Sequence, residues 1–513
     1  MKTYKYYIFF IILILYHISN PSLSFPNNLS ISNISIIEQS TEDQTAKITF
    51  NISWDNSWRN QLNHDAAWVF IKYSIDEGSS WHHATLKDSG TNPTDFSIGT
   101  GTVVDIIVPA DKKGCFIVRN STGVGPLVAS NVKLVWDWQA DGLSLSNLAR
   151  VSVQGIEMVY VPQDVFYIGD GDSANESQFA FHEEGADNLS VQISTSVKNI
   201  VCDSNDNDDI DTTAVKVDGD EGITDNVDYP TGYDAFYMMK YEITEGQWIE
   251  FFNKLTAEQK IVRDITSSDG KNSDSVVNRN TISWSAGDAV STRPDRVCGY
   301  LSWMDFAAYT DWACLRPMSE LEFEKAARGT VDTLKNEYAW GSIVIKSAKD
   351  IAGSEDGTET ITTAGANCCY KNETYSGGDG SSGPLRAGIF AQENSSREEA
   401  GAGYYGAMDL SGSVFERVVS LGNEAGRLFQ GTHGDGVLSS EVGYEGNATN
   451  SDWPGIDAVQ ARGITSANGS GKKGGSWQSV DLNDLRISDR KYSSVSDAAR
   501  GSGYGGRCVR TAP

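Results

Sequence analysis

Seven cysteines, six histidines and one dense acidic run are the residues of this 513-residue sequence best suited to chemistry. The cysteines are Cys115, Cys202, Cys298, Cys314, Cys368, Cys369 and Cys508. Their odd count and irregular spacing do not make a dense disulfide framework, although one or two bridges suit an oxidising compartment. No C-x-x-C pair occurs and the histidines are scattered, so a zinc or iron site has little to build on. His433, in GTHGDG, reads as a turn residue. In CDSNDNDDID (202–211), the oxygens of Asp203, Asn205, Asn207 and Asp209 alternate as at the start of a calcium loop. Asp208 stands where such a loop needs glycine and Ala214 where it needs glutamate, so a solvated loop with weak calcium binding is expected. In MDLSGSVFE, Asp409 to Gly412 taken alone reads as a turn closed by the Asp409 side chain.

The bulk numbers narrow the function. A length of 513 residues suggests two to three domains. Thirteen Trp and 50 Gly point to a loop-rich fold with an aromatic core. Net charge is −28, pI is near 4.5 and Lys/Arg never cluster, which argues against a nucleic-acid partner. An acidic surface concentrates cations such as calcium and keeps a protein soluble outside the cell. Lys2 and Lys5 precede an apolar run, Tyr6 to Tyr16, followed by Ser22 and Ser24. That order is expected of a secretory signal peptide over 1–24, because the run is too short to span a bilayer. No later segment is apolar for long enough to span, and no cysteine at the cleavage region supports a lipid anchor. The expected location is secreted or cell surface.

The elements follow from periodicity. AKITFNISW (46–54), WVFIKYSI (68–75) and VKLVWDW (132–138) alternate apolar and polar residues, so 27–150 is expected to be an all-β sandwich. A spacer that holds the following region off a surface is its plainest role. GIEMVYVPQDVFYIGD (155–170) opens a second domain, 151–513, with an acidic insert at 202–230. Three helices are expected there. Thr244 and Gln247 stand in capping-box register at TEGQWIEFFNKL, Ser302 opens SWMDFAAYTDWA, and Ser319 with Glu322 opens RPMSELEFEKAARG. Beyond 330 the chain is Gly-rich and dominated by loops.

These segments, in this order, resemble the formylglycine-generating-enzyme (sulfatase-modifying factor) family. The resemblance is carried by MVYVPQDVFYIG, KYEITEGQWIEFF, LSWMDFAAYTDWACLRPMSELEFEKAARG, YAWGS (338–342), GYYGAMDLSGSVFE (403–416), GGSW (474–477) and GGRCVR (505–510). It implies an α+β, C-type-lectin-like, loop-rich fold with structural calcium. One implied calcium site uses side chains of Asp409 and Glu416 with carbonyls of Gly412 and Val414. The other uses side chains of Asn367 and Asp379 with carbonyls of Cys368 and Ser381.

The family's chemistry needs two cysteines shortly after the GGS motif, which bind copper(I) and capture a substrate cysteine. Counted forward from Trp477, those positions are Ser479 and Asp484; counted back from Arg486 and Arg490, the second is Leu482. No cysteine occurs between Cys369 and Cys508, and hydroxyl or carboxylate oxygens do not replace thiolates for copper(I). Catalytic residues of this kind are therefore absent and copper is not expected. Cys508 matches a disulfide position in some members; the usual partner position is Ala327, and Cys314 is an alternative. The family's sulfoxide synthases place iron ligands on a helical N-terminal domain, whereas His64, His82 and His83 lie in a β-rich one without that spacing.

What remains in WQSVDLNDLRISDRKYSSVSDAARGSGY (477–504) is the composition of an adaptable recognition loop. Trp477, Ser479, Asp481, Asn483, Asp484, Asp489, Tyr492, Ser494 and Tyr504 are the candidate contacts with an extracellular protein or glycan. The expected function is a non-catalytic binding protein. The segment also resembles the variable region of retroelement-diversified surface receptors, and an oxidoreductase with an unrecognised site is the third reading.

Overall fold

The computed structural model describes residues 28–144, 149–171, 180–183, 190–194, 200–202, 226 and 228–513. The expected leader (1–24) and the loop carrying Asp203, Asn205, Asn207 and Asp209 lie outside the described residues.

The first region forms β1 (Ser30–Ser40), β2 (Thr45–Arg59), β3 (Asp65–Ser74), β4 (His82–His83), β5 (Gly90–Thr91), β6 (Thr100–Gly101), β7 (Val104–Val108), β8 (Cys115–Arg119) and β9 (Gly123–Asp137). In β2 the alternation is realised as read: Ala46, Ile48, Phe50, Ile52 and Trp54 are buried and the residues between them half-buried. A period of two puts these five on one face. One sheet has the order β1-β2-β9-β6. Its apolar face shares a core with Val69 and Ile71 of β3, Ile106 of β7 and Ile117 of β8, which belong to a second sheet.

That second sheet does not end with the first region. β10 (Arg150–Val161) pairs antiparallel with β3 from Arg150↔Ser74 to Val159↔Asp65. Its far end pairs with β15 (Phe236–Met239), which pairs in turn with the C-terminal β21 (Val509–Thr511). The boundary expected at 150/151 thus falls at the start of a strand that pairs with both regions. The cause lies in β3, which is buried along its whole length. A strand apolar on both faces needs cover on both. Val69 and Ile71 face the first core, while Ala66, Trp68 and Phe70 face helices of the second region. The Trp68 indole N–H donates to Ala313 O at 2.9 Å, and Lys72 Nζ donates to Trp312 O at 2.6 Å. Phe70 meets the Trp312 ring edge-on at 5.3 Å.

After β10 come β11 (Phe166–Ile168) paired with β13 (Val191–Ile193), and β12 (Phe181–Glu183) paired with β14 (Ile200–Cys202). The helices are α1 (Glu245–Phe252), α2 (Ala257–Arg263), α3 (Trp303–Trp312) and α4 (Glu320–Arg328). Each begins with a complete capping box, from Thr244, Thr256, Ser302 and Ser319 respectively, which satisfies backbone donors that have no partner within the helix. The remainder is loop with β16 (Ile351–Ala352), β17 (Thr360–Ile361), β18 (Phe415–Val419), a short α5 (Glu424–Arg427), β19 (Ser470–Lys473) and β20 (Tyr504–Gly505). The molecule is rich in strands and poor in helix, and no helix among the described residues is long and apolar enough to cross a membrane.

Candidate functional site

β18 is the centre of a small sheet, antiparallel to β19 and parallel to β20. The chain leaves β19 through Gly474 and Gly475, whose φ angles are 85° and 71°. A Cβ on Gly475 would stand 2.6 Å from Leu485 Cδ2 and 2.9 Å from Asp484 O. Glycine is therefore what lets the 484–485 segment close against this turn.

The residues after the turn divide by burial. Trp477 is 2% exposed and packs with Tyr375, Leu385 and Phe390; its indole N–H donates to Ser502 O at 3.2 Å. In this conformation it supports the loop from below. Ser479 is buried, and its Oγ accepts the Ser476 N–H at 3.1 Å. Its hydroxyl lies near enough to the Asp484 carboxyl to help lower it, so the two residues that the resemblance sets at the thiol positions are neighbours. The alternative second place, Leu482, is 40% exposed.

Asp484 Oδ1 has Lys491 Nζ at 3.6 Å, and the same ammonium lies 3.9 Å from Asp481 Oδ2. Asp489 Oδ1 accepts the Lys491 backbone N–H at 3.2 Å, while its Oδ2 is buried and accepts no hydrogen bond among the described residues. Burial, reinforced by the nearby Asp484 charge, pushes the Asp489 carboxyl up to about 7. Burial also raises Asp484, against the pull of Lys491. Asp481, Asn483, Tyr492, Ser494 and Tyr504 are half-buried.

Tyr492 and Tyr504 both pack edge-on against Phe415, with centroids 5.2 and 6.2 Å away. Lys472 Nζ lies 3.8 Å from the Tyr504 ring centroid and 3.1 Å from Asp497 Oδ2. Lys491 lies over the Tyr492 ring at 5.1 Å, joining this aromatic patch to the carboxylates. Phe415 and the two lysines escaped the sequence reading. Phe415 sits within a strand, and nothing local shows that its ring reaches the loop face.

Arginines lock the underside of the face. Arg490 holds Glu320 through Nε at 2.6 Å and Nη2 at 2.9 Å, and Arg507 holds Glu416 at 2.8 and 2.7 Å. Such forked pairs fix geometry as well as charge.

The residues implied for calcium form two unequal sets. Asp409, Glu416 and Glu242 are all buried. Asp409 Oδ2 accepts the Gly388 N–H at 2.6 Å and Glu242 Oε1 the Val414 N–H at 3.0 Å; Glu242 Oε2 is buried with no hydrogen bond among the described residues. Burial, then the charges of Asp409 and Glu416, hold Glu242 well above the usual carboxylate range, with Arg507 opposing. Among the described residues no three His, Cys, Asp or Glu side chains converge in ligating geometry. Both Glu416 oxygens already accept from Arg507, so a hard cation here would find Asp409 and the carbonyls of Gly412 and Val414 and would compete with Arg507 for Glu416.

The second set does not fit. Asp379 is ion-paired with Arg279 and with Arg296, which also hold Glu355. Two guanidinium groups at the same carboxylate repel a dication. The Asn367 Oδ1 accepts the Lys346 N–H and its Nδ2 donates to Val344 O and Glu398 O. Cys368 O accepts the Ala348 N–H and Ser381 O the Tyr375 N–H.

The described cysteines Cys115, Cys298, Cys314, Cys368, Cys369 and Cys508 are all buried, unpaired thiols. Cys508 Sγ lies 3.0 Å from the Thr310 hydroxyl, and Cys314 Sγ 3.3 Å from His83 Nδ1. Cys314 and Cys508, the alternative pair, are both free thiols with different neighbours. Burial pushes both up to about 12. His433 is also engaged, its Nε2 accepting the Thr511 N–H at 3.1 Å.

A formylglycine-generating enzyme of Thermomonospora curvata is 27% identical over 130 residues, which make up 25% of this chain and 35% of that enzyme. The chain thus spans about a third of the length of the curated relative it matches. The family model described as "Sulfatase-modifying factor enzyme 1-like domain" matches residues 218–512, more than half of the 513. The chain belongs to the sulfatase-modifying factor family.

Proposed function

We propose that this is a secreted or cell-surface, non-catalytic binding protein that recognises an extracellular protein or glycan through the 477–504 face. Its scaffold is read as C-type-lectin-like, preceded by an all-β sandwich. The observation that carries the reading is that the chain has no cysteine between Cys369 and Cys508, and that the residues the resemblance sets at the two thiol positions, Ser479 and Asp484, are neighbouring oxygen groups. A hydroxyl and a carboxylate neither hold copper(I) nor form a mixed disulfide with a substrate cysteine. Structural calcium would be held by Asp409 and Glu416 with the carbonyls of Gly412 and Val414. It would offset the surplus negative charge of three buried carboxylates facing one arginine.

The test is an oxidation assay on a cysteine-containing peptide with copper and oxygen, read by mass. The peptide should leave unchanged. Conversion of its cysteine to an aldehyde would overturn the reading and restore the activity named for the Thermomonospora relative.

A specific contrast favours the diversified receptor as a second reading. Arg490 and Arg507 are locked beneath the face, while Asp481, Asn483, Tyr492, Ser494 and Tyr504 reach solvent between them. Sequencing codons 470–510 across a natural population should then find variation at those five positions and none at the arginines. A uniform sequence would remove this second reading.

A further inference from the structure

We infer that Arg279 and Arg296, paired with Glu355 and Asp379, take the place of the second calcium that the resemblance implies, so that the 349–381 segment holds its shape without a metal at that set.

Charge carries the first half of the argument. Arg279 is paired with both Glu355 and Asp379, and Arg296 holds the same two carboxylates at 2.9 and 3.2 Å. Two guanidinium groups against two carboxylates leave no surplus negative charge for a dication to neutralise. Arg279 is 1%, Arg296 3% and Glu355 5% exposed. Charges at that depth persist when they are matched, and here the match is complete within the chain. Other contacts fix the cations in place. Arg279 Nε donates to Pro384 O at 3.0 Å, and its guanidinium carbon lies 5.0 Å from the Tyr375 ring centroid. Arg296 Nη1 also donates to the Arg279 carbonyl.

Connectivity carries the second half. Glu355 comes from the connection between β16 and β17, and the chain leading into it lies along the implied ligands. Ser347 bridges to Cys368 and Asp350 to Ser376. The Ile351 N–H donates to Ser376 O and the Ser376 N–H to Lys349 O, both at 2.8 Å. The Glu355 carboxylate then accepts the Asp379 N–H, also at 2.8 Å. Two glycines permit so close an approach. Gly377 and Gly378 have φ of 85° and 55°, and a Cβ on them would stand 2.2 Å from Ile351 O and 2.8 Å from the Glu355 carboxyl carbon. The 346–348 stretch engages the remaining oxygens, with the Lys346 N–H on Asn367 Oδ1 and the Ala348 N–H on Cys368 O. Ion pairs and backbone bonds thus do locally what a hard cation does with oxygen ligands. Tyr375, Ile351 and Leu385 pack in one core with Trp477, so the support of the 477–504 face rests on this cluster.

The test uses the full chain, as wild type and as Asp379→Ala. Calcium held per chain after dialysis is counted by atomic emission, and unfolding midpoints are read in calcium and in excess chelator. Asp379→Ala should hold as much calcium as wild type and should unfold roughly 3–6 °C lower in both solutions alike. One calcium fewer in the variant would overturn the inference, and so would a midpoint that falls only in calcium or does not fall at all. A second measurement needs no variant. Between calcium and chelator, hydrogen-exchange protection in wild type should change no more across 349–381 than across β18, beside the other calcium set. A larger change across 349–381 would overturn the inference. A wild type that holds no calcium would remove the Asp409 assignment and support this one.

Discussion

Two sets of buried acids share this molecule, and they are treated in opposite ways. Beneath the 477–504 face, Glu320 and Glu416 each have a forked arginine, and Glu322 has Arg316 at 2.7 Å. In the loop, Asp484 Oδ1 has Lys491 Nζ at 3.6 Å, and Asp489 Oδ2 is buried without a hydrogen bond among the described residues. A buried carboxylate costs several kcal/mol unless it is matched, and Glu320, Glu322 and Glu416 have their partners built in, whereas Glu242 keeps one oxygen without a hydrogen bond among the described residues.

The framework side should be the more sensitive to breakage. Arg507→Met would leave Glu416 buried without its counter-ion and should destabilise the protein by about 3–5 kcal/mol in urea unfolding. A loss below about 1 kcal/mol would mean that the pair is not what fixes β18 against the C-terminal strand.

Calcium removal comes next. Excess chelator should lower stability by roughly 2–4 kcal/mol if the ion normally stands 100- to 1,000-fold above its dissociation constant. Asp409→Asn should abolish that response, and an unchanged unfolding midpoint in chelator would remove the calcium assignment.

On the face, the sign reverses. The Asp489 carboxyl is raised from 3.8 to about 7, so it favours the folded state when protonated. That contribution is fully present below about pH 4 and is lost as pH rises to about 7. Asp489→Asn should therefore gain on wild type across this window, reaching roughly 1–3 kcal/mol at pH 8. A variant less stable than wild type at pH 8 would show that the carboxylate is matched after all. The smallest effect belongs to Val480→Ser, within about 0.5 kcal/mol by the same measurement, because its side chain is already in solvent.

The sequence made local features readable and long-range ones not. Thr244 with Gln247 and Ser319 with Glu322 mark helix starts within four residues, and the structure has both boxes. Thr256 with Gln259 carries the same box for α2, but no apolar stripe follows it, and only Arg263 of that helix is buried. Alternation located β2, but it could not reveal that β10 would join β3 to β15, since strand pairing is set by partners far apart in the chain. The absence of a thiol pair was legible by counting. The depth of Asp489 was not: Asp, Asn and Ser in a loop read as surface, and only the close turn at Gly475 brings Asp484 inward. Trp477 shows the converse, an aromatic in a recognition-like segment that serves as its core.

The central claim, that this scaffold presents a binding face and has no copper-dependent thiol site, is tested most directly by copper(I) titration against a chromophoric chelator. Wild type and the double variant Ser479→Cys/Asp484→Cys would be compared in their folded states. Wild type should take up no stoichiometric copper(I), and the double variant should bind one ion, because the two positions are already side by side. Tight one-to-one binding by the wild type would contradict the claim.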